Sequence, residues 1–249
     1  MIEQCVILAG GKGERLRPLT DSVPKPMAPV NGIPFLDYLL YSMVKSGIRR
    51  FLILVGYKSE IIVSRYTNTV GIDIQFSLGS PDEMTGDRII NAYDRLDDVF
   101  LLVYGDNYWP VELSHMWDNY QKLKVGLTTT VFSNIDGTGE YGMYNNIVVG
   151  KSGNVLKYDK LRQTKEANGV DIGYFLIRKT ELENSISGPI SFEEHILPIV
   201  IAKNELGAYV TNRQYYFITN YSTLNTFESA TQKNNFLPLP KCYFYADSC

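Results

Sequence analysis

The 249-residue chain is long enough to bury one large core, with or without a small appendage. Its composition, 45% hydrophobic and 20% charged residues, is that of an ordinary globular protein and excludes the disordered and fibrous classes. The formal net charge of -3 provides no general basic field for a nucleic-acid backbone, so nucleic acid is not an expected partner.

Cysteine content and hydropathy indicate the compartment. The three cysteines, Cys5, Cys242 and Cys249, have no metal-ligand spacing, and such a sparse, odd set favours a reducing environment. The N-terminal apolar run is too short for a signal sequence, and no other stretch approaches the roughly 18 apolar residues that a membrane span needs. We therefore expect a cytoplasmic protein that does not associate with membranes.

Predicted strands and helices alternate over the first hundred residues. Short apolar runs that stop at glycine or polar residues are typical of buried parallel strands, and amphipathic segments between stop signals are typical of helices. The predicted strands are 4–9, 50–55, 72–77 and 99–104, and the predicted helices are 34–46, 59–66 (capped by Ser59) and 87–96. This alternation predicts a doubly wound α/β fold that binds ligands beyond the carboxyl ends of its strands.

The pattern changes after Trp117, where short apolar runs are separated by turn residues. We predict strands at 127–132, 146–149, 155–158 and 174–177. They indicate a mixed sheet with hairpins that supplies the second half of a binding pocket. A proline-containing connector starts near residue 236, so we predict one domain over residues 1–235 and a connector with a tail over 236–249.

The strongest chemical signal is the glycine-rich segment after the first predicted strand. Glycines at 10, 11 and 13 allow backbone N–H groups to approach an anion closely, because glycine has no side chain and tolerates positive φ. Arg15 adds a planar fork for phosphate oxygens, and Lys25 adds a point charge. Together they predict a triphosphate site that stabilises departing pyrophosphate. The alternative is a tight strand-to-helix turn with solvated basic residues.

Two common glycine-loop motifs do not fit this segment. A Walker loop requires a Lys-Ser/Thr pair after the final glycine, and that pair is missing. A dinucleotide fingerprint requires a third spaced glycine, which is also missing.

A second signal, Gly105-Asp106-Asn107, follows the fourth predicted strand. A carboxylate at this position is well placed to hold Mg²⁺ that bridges phosphate oxygens. The alternative is an aspartate that only forms a turn or caps a helix.

Weaker signals occur later in the chain. Lys160 and Arg162 follow a short predicted strand, where they either bind a second phosphate or are solvated charges. The Glu193-Glu194-His195 run is better explained as the start of a helix capped by Ser191 than as a metal or acid–base site. With two histidines in the chain, a histidine metal site or a charge-relay triad is not expected.

The opening motifs resemble the sugar-1-phosphate nucleotidyltransferase family, the sugar-nucleotide pyrophosphorylases. The likeness covers about residues 1–230 and depends on Leu8-Ala-Gly-Gly-x-Gly-x-Arg-Leu-x-Pro-Leu-Thr20, Pro24-Lys-Pro-Met-x-Pro-Val30 and Pro34-Phe-Leu36. It implies a Rossmann-like α/β fold with a mixed, mostly parallel central sheet flanked by helices. The implied reaction is attack by a sugar-phosphate oxygen on the α-phosphorus of a nucleoside triphosphate, with Mg²⁺ as cofactor and pyrophosphate as leaving group.

The resemblance also implies roles for individual residues. The implied catalytic residues are Arg15, Lys25 and Asp106. The implied nucleotide-binding residues are Leu8, Ala9, Gly10, Gly11, Lys12, Gly13 and Gly86. The implied sugar-phosphate-binding residues are Gly142, Lys160, Gly169 and Asp171. The implied metal ligands are Asp106 and Asn220.

A closer likeness concerns a bacterial subgroup of heptose and mannose 1-phosphate guanylyltransferases, often fused to a haloacid-dehalogenase-type phosphatase. The matching segments are Tyr104-Gly-Asp-Asn-Tyr-Trp-Pro110, Tyr158-Asp-Lys160, Asn168-Gly-Val-Asp-Ile-Gly-Tyr174 and Phe192-Glu-Glu194. This likeness implies GTP as donor, a heptose or mannose type of acceptor, and a place in surface polysaccharide synthesis. Ala246 and Ser248 stand where the phosphatase would have paired aspartates, so we expect a vestigial or truncated second domain without phosphatase activity.

Two departures leave alternatives open. The 82–86 segment differs from the Leu-Gly-Thr-x-Gly of many members, so the base stays undetermined. Asn220 stands where many members have a second metal-binding aspartate, so Asn220 or Asp171 completes the metal site. The alternative functions are a catalytically weak nucleotide- or sugar-phosphate-binding module, and cytidylyl or uridylyl transfer to another phosphorylated acceptor. A homo-oligomer is compatible with each of them.

Overall fold

The computed structural model describes residues 2–183, 189–233 and 244. The predictions about Cys242, Cys249, Ala246 and Ser248 therefore lie outside the described residues. Among the described helices, none combines the length and the apolar character needed to cross a membrane.

The elements alternate much as the sequence predicts. The strands are β1 (Gln4–Ala9), β2 (Pro29–Val30), β3 (Ile33–Pro34), β4 (Arg50–Val55), β5 (Asp73–Leu78), β6 (Val99–Tyr104), β7 (Asn107–Tyr108), β8 (Leu127–Phe132), β9 (Ile147–Val149), β10 (Val155–Tyr158), β11 (Val170–Arg178), β12 (Leu206–Thr211) and β13 (Tyr216–Phe217). The helices are α1 (Phe35–Lys45), α2 (Ser59–Tyr66), α3 (Thr85–Asn91), α4 (Leu113–Leu123), α5 (Leu197–Ala202) and α6 (Tyr221–Lys233), with a π-helical turn at Phe192–Ile196.

The central sheet has seven strands in the order β12-β8-β11-β6-β1-β4-β5. β4 pairs in parallel with β1 and β5, and β12 pairs in parallel with β8. β11 is the antiparallel strand, because it runs against both β6 and β8. The predicted α/β class with a mixed, mostly parallel sheet is confirmed.

Two details of the helix predictions are wrong. The cap of α2 is Lys58, in the left-handed region with φ 50°, and it makes no side-chain capping bond. The helix predicted at 87–96 is split into α3 and a short 3-10 turn at Tyr93–Arg95. α3 starts before Asp87, because the Asp87 carboxylate accepts the Met84 N–H at 3.1 Å and so satisfies a donor at the helix start.

The chain divides into two compact units. The N-terminal unit comprises Glu3–Asp82, Tyr104–Val111 and the described residues from Tyr216 onward. The central unit comprises Ile2, Glu83–Val103 and Glu112–Tyr215. The single domain predicted over residues 1–235 therefore contains two units.

The N-terminal unit is organised around the buried ring of Phe227 in α6. The rings of Phe35, Tyr38, Tyr108 and Tyr216 lie with their centroids 5.0–5.6 Å from it. Aromatic contacts of this kind pack α6 onto α1 and onto the β7–β13 ribbon. They fix the chain that directly follows Asp106.

The tail touches the N-terminal unit at one described position. Phe244 is buried, with 2% exposure, and its carbonyl accepts the Val70 N–H at 3.1 Å. At residue 244 the chain therefore packs on this unit.

Candidate functional site

The glycine-rich segment leaves three consecutive backbone donors open. β1 is a buried run that ends at Ala9, and the Gly10 carbonyl accepts the Tyr57 N–H at 3.0 Å. In the described part of the chain, no acceptor is recorded for the N–H groups of Gly11, Lys12 and Gly13. Successive unpaired N–H groups in a glycine turn are suited to holding an anion.

Gly13 packs this segment against Lys25. Its φ is +64°, and a Cβ there would lie 3.0 Å from the Cβ of Lys25 and 3.1 Å from Cγ2 of Thr20. The Thr20 hydroxyl donates to the Gly13 carbonyl at 3.0 Å. A side chain at position 13 would therefore be strained by both its φ and its neighbours.

Lys25 and Asp106 form an ion pair between residues that are 81 positions apart. Nζ of Lys25 donates to Oδ2 of Asp106 at 2.7 Å, and the two side chains are 12% and 34% exposed. Burial acts to raise the pKa of Asp106, but the charges of Lys25 and Arg15 outweigh it and hold this pKa below its ordinary value. Asp106 is therefore a carboxylate at neutral pH.

Arg15 lies in the 3-10 turn Glu14–Leu16, which Gly13 begins and the buried side chain of Leu16 anchors. Arg15 is an exposed residue, and its charge acts on Asp106. The structure thus brings Arg15, Lys25 and Asp106 together beside the open N–H groups.

Gly105 places Asp106 by a close backbone contact. Its N–H donates to the Leu8 carbonyl at 2.9 Å, and a Cβ at position 105 would lie 2.5 Å from that oxygen. A methyl group there forces β1 and the Asp106 segment apart.

We expect Gly105→Ala to lower the free energy of unfolding by about 1–3 kcal/mol and activity by at least about tenfold. Gly11→Ala is the matched variant, because nothing lies within 4 Å of a Cβ at position 11. It should unfold at the wild-type temperature. Thermal unfolding of the three proteins tests this, and equal midpoints for all three would contradict the proposed contact.

The residues around Asp106 fit a metal ion that binds mainly through substrate phosphates. In the described residues no group of three or more His, Cys, Asp or Glu side chains is arranged to hold a metal. Mg²⁺ commonly takes one or two carboxylates and fills its other positions with phosphate oxygens and water. Asp106, as one ionised carboxylate, fits that mode.

The Asn220 side chain caps a helix. Its Oδ1 accepts the Thr223 N–H at 3.1 Å, so it caps the start of α6. The nearby Ile218 N–H donates to the Asp106 carbonyl at 3.0 Å, which places this segment beside Asp106. Its role as a metal ligand stays a prediction.

Lys12 has an acidic partner from the segment that departs from the family pattern. Its Nζ lies 2.5 Å from Oδ1 of Asp82, and both side chains are exposed. A hydrogen bond from Lys12 lowers the pKa of Asp82, and the same bond raises the pKa of Lys12. A triphosphate bound by Lys12 would compete with Asp82.

The predicted sugar-phosphate residues all lie in the central unit, and Asn146 hydrogen-bonds two of them and the neighbour of a third. Asn146 is 4% exposed. Its N–H donates to the Gly169 carbonyl at 3.0 Å, its Oδ1 accepts the Asp171 N–H at 2.9 Å, and its carbonyl accepts the N–H of Asp159, next to Lys160, at 2.7 Å. Sequence reasoning missed this residue, since only its tertiary hydrogen bonds distinguish it.

Gly142 lies in a loop held by another buried asparagine. Nδ2 of Asn134 donates to the Gly142 carbonyl at 2.9 Å, and Oδ1 of Asn134 accepts the Gly139 N–H at 2.8 Å. Gly142 has φ +61°, and nothing lies within 4 Å of a Cβ there. The Asn134-Ile-Asp-Gly137 turn signature was the available sequence signal for this loop.

Gly169 and Gly86 are required by packing. A Cβ at Gly169 would clash with Cγ1 of Val131. A Cβ at Gly86, in α3, would lie 2.6 Å from the Ile190 carbonyl oxygen. The predicted nucleotide role of Gly86 stays a prediction beside this packing role.

Lys160 and Arg162 have different surroundings. Nζ of Lys160 lies 3.0 Å from Oε2 of Glu194. Arg162 donates to the Tyr144 carbonyl at 2.7 Å, and its guanidinium lies 4.3 Å from the ring centre of Tyr141. Arg162 is thus held against its own loop.

Asp171 is a carboxylic acid whose surroundings bury it and hydrogen-bond one of its oxygens. Its Oδ1 accepts the Thr129 hydroxyl at 2.6 Å and the Gly173 N–H at 3.1 Å. Burial raises the pKa of Asp171 to about 6; hydrogen bonds from Thr129 and Gly173 oppose this shift, and the charge of Glu193 adds to it.

This pKa predicts how stability depends on pH. The folded state disfavours the charged form, so the cost of the buried carboxylate is complete above about pH 6 and is relieved as the pH falls towards 4. Asp171→Asn removes this titration. We expect the stability of the variant relative to wild type to be about 2 kcal/mol more favourable at pH 7.5 than at about pH 4.5. Urea unfolding at both pH values tests this, and a pH-independent difference would contradict it.

Comparison with known proteins decides the family. Residues 4–186 match the family model described as Nucleotidyl transferase, which is more than half of the chain. The chain belongs to the nucleotidyl transferase family. Enzymes of this family generally use a divalent metal ion.

Two curated relatives of this nucleotidyltransferase are D-glycero-alpha-D-manno-heptose 1-phosphate guanylyltransferases. The protein from Aneurinibacillus thermoaerophilus is 28% identical over 218 residues, which cover 86% of this chain and 91% of the relative. The protein from Campylobacter jejuni is 26% identical over 195 residues, which cover 78% of this chain and 84% of the relative.

Solved structures support the fold. The crystal structure of HddC from Yersinia pseudotuberculosis superposes with a TM-score of 0.79 at 22% identity, and covers 92% of this chain and 100% of HddC. HddC complexed with GMP-PN gives a TM-score of 0.76. The nucleotidyltransferase therefore has the Rossmann-like fold implied by the sequence.

Proposed function

We propose that this nucleotidyltransferase transfers a guanylyl group from GTP to a heptose or mannose 1-phosphate, giving a nucleotide-sugar and pyrophosphate for surface polysaccharide synthesis. The observation that carries the proposal is the Lys25–Asp106 ion pair of 2.7 Å beside three open N–H groups. The names of the two heptose 1-phosphate guanylyltransferases support the base and the acceptor.

The N-terminal unit supplies the groups for the triphosphate. The N–H groups of residues 11–13 bind phosphate oxygens, since no acceptor within the described residues occupies them. An acceptor oxygen attacks the α-phosphorus, and the bond from that phosphorus to the bridging oxygen breaks. The electron pair moves onto pyrophosphate, where Arg15 and Lys25 neutralise the growing charge.

Asp106 would hold Mg²⁺ through its ionised carboxylate. The ion supplies charge neutralisation at the triphosphate oxygens when it is bound. Lys25 keeps Asp106 ionised and limits the movement of its carboxylate, because it engages Oδ2.

The central unit supplies the groups for the acceptor. Lys160 is the cation for the sugar phosphate, and the backbone of Gly142 and Gly169 together with the Asp171 carboxyl contact sugar hydroxyl groups. Asn146 keeps the Gly169, Asp171 and Asp159 backbones in one arrangement, so the acceptor groups do not have to be ordered on binding.

A substrate panel tests the proposal. The four nucleoside triphosphates are combined with mannose, glucose and heptose 1-phosphates, with and without Mg²⁺, and pyrophosphate is measured. We expect release only when GTP, the metal and a heptose or mannose 1-phosphate are all present. Release with CTP or UTP instead would correct the base, and no release with any pair would refute the transfer.

A further inference from the structure

The π-helical turn Phe192–Ile196 is rigidly built at its start. Ser191 caps it, because its hydroxyl accepts the Glu194 N–H at 3.2 Å. The same hydroxyl donates to Oε2 of Glu193 at 2.9 Å. The turn also packs on the sheet, since the ring of Phe192 lies 5.1 Å from that of Phe175. π-Helical turns are rare and occur frequently at functional sites.

Thr85 connects this turn to the start of α3. Its hydroxyl donates to Oε2 of Glu193 and accepts the Phe192 N–H, both at 2.9 Å. The Asp87 N–H donates to the Ile190 carbonyl at 3.1 Å, and the Asp87 carboxylate accepts the Ile190 N–H at 3.0 Å. Residues 190–192, which lead into Glu194, are thus held in place by Thr85 and Asp87.

From this turn, the Glu194 side chain forms an ion pair with Lys160. Its Oε2 lies 3.0 Å from Nζ of Lys160, and the two side chains are 48% and 52% exposed. A half-exposed lysine has a flexible four-carbon stem, and it loses conformational freedom when it binds an anion. A partner on a rigid turn removes part of that freedom beforehand.

We propose that Glu194 is a positioning residue, which orients the ammonium group of Lys160 towards the acceptor phosphate. This inference rests on the proposed function, because Lys160 is the acceptor-phosphate cation there. The alternative for the same contact is competition, in which the Glu194 carboxylate occupies Lys160 and weakens phosphate binding. The two act on acceptor affinity in opposite directions.

Calorimetric titration with mannose 1-phosphate and with heptose 1-phosphate distinguishes positioning from competition without requiring turnover. Glu194→Ala should raise the acceptor Kd about two- to fivefold, the range of a half-exposed ion pair, and leave the GTP Kd unchanged. Glu194→Gln should stay within about twofold of wild type, since its amide oxygen still accepts from Lys160. A lower or unchanged acceptor Kd in Glu194→Ala would overturn the proposal.

A double-mutant cycle tests whether the effect passes through Lys160. In a Lys160→Ala background, Glu194→Ala should have no further effect on the acceptor Kd. An undiminished effect there would indicate general damage to the turn and would overturn the proposal. Glu166→Ala is the matched control: Glu166 is an exposed acid on the loop that carries Lys160, and it makes no hydrogen bond or ion pair within the described residues. Its acceptor Kd should equal that of wild type.

Failure of this inference and failure of the proposed function give different results. Normal pyrophosphate release together with an unaffected acceptor Kd in Glu194→Ala overturns the inference alone. A raised Kd in Glu194→Ala without pyrophosphate release from any substrate pair overturns the transfer reaction alone. Wild-type protein that binds neither sugar 1-phosphate overturns both.

Discussion

Lys25→Ala is expected to lower kcat by about 10²–10³-fold, the cost of removing one group that stabilises transition-state charge. The side chain is only 12% exposed, so the ammonium acts where water screens it little. Its removal also takes away the main cation that holds down the pKa of Asp106, so this pKa should rise. Initial rates of pyrophosphate release measure the loss.

Lys45→Ala is the matched control for Lys25→Ala. Lys45 is an exposed lysine at the end of α1 in the same unit, near the ring of Tyr41. It should keep the wild-type rate. Circular dichroism should show that both variants are folded. If Lys25→Ala retains more than about a tenth of the wild-type rate, Lys25 does not stabilise the leaving group.

Asp106→Ala is expected to reduce activity by about 10²-fold or more, with a higher concentration of divalent metal needed for the remaining rate. Asp106→Asn separates the two roles of this side chain, which are accepting the hydrogen bond from Lys25 and supplying a negative charge to a metal ion. Its amide oxygen still accepts from Lys25, whereas the negative charge for a metal is gone. The initial rate of both variants is measured as a function of divalent metal concentration, which shows whether metal binding requires the negative charge of Asp106.

Asp73→Asn provides the control, since Asp73 is an exposed aspartate at the start of β5 in the same unit. Its activity and metal dependence should match those of wild type. Unchanged metal-dependent activity in Asp106→Ala would refute the metal assignment while leaving the family membership intact.

The sheet was largely predictable because its strands are continuous buried runs. β1, β4 and β6 have the predicted bounds, and so do β8 and β10. Most residues of β1, β4 and β6 are apolar and buried, so these strands are evident from the local sequence alone. The contact of Lys25 with Asp106 also follows the expectation that ligand groups gather beyond strand ends.

The elements that the sequence did not predict depend on tertiary contacts. α6 reads as a polar segment, and it is held by the burial of Phe227 among rings from three other elements. Asn220 stands where the family resemblance implies a metal ligand, and its side chain also caps that helix. Contacts between distant parts of the chain determine α6 and its cap, and no local sequence pattern predicts such contacts.

The residues that organise the proposed acceptor site were likewise not predictable from local sequence. Asn146 is one of many polar residues in a loop-rich stretch, and only its three backbone-directed hydrogen bonds reveal that it organises Gly169 and Asp171. Glu194 was correctly predicted to start a capped helix, but its ion pair with Lys160 lies across 34 positions in sequence and has no periodic signal.

Product analysis of one reaction tests the central claim most directly. GTP, Mg²⁺ and heptose 1-phosphate are incubated with the protein, and the products are separated, identified and quantified by mass spectrometry. Attack at the α-phosphorus predicts GDP-heptose and pyrophosphate in equal amounts, and about 10²–10³-fold less of both with Lys25→Ala over the same interval. GDP with inorganic phosphate, or unchanged GTP, would contradict the account.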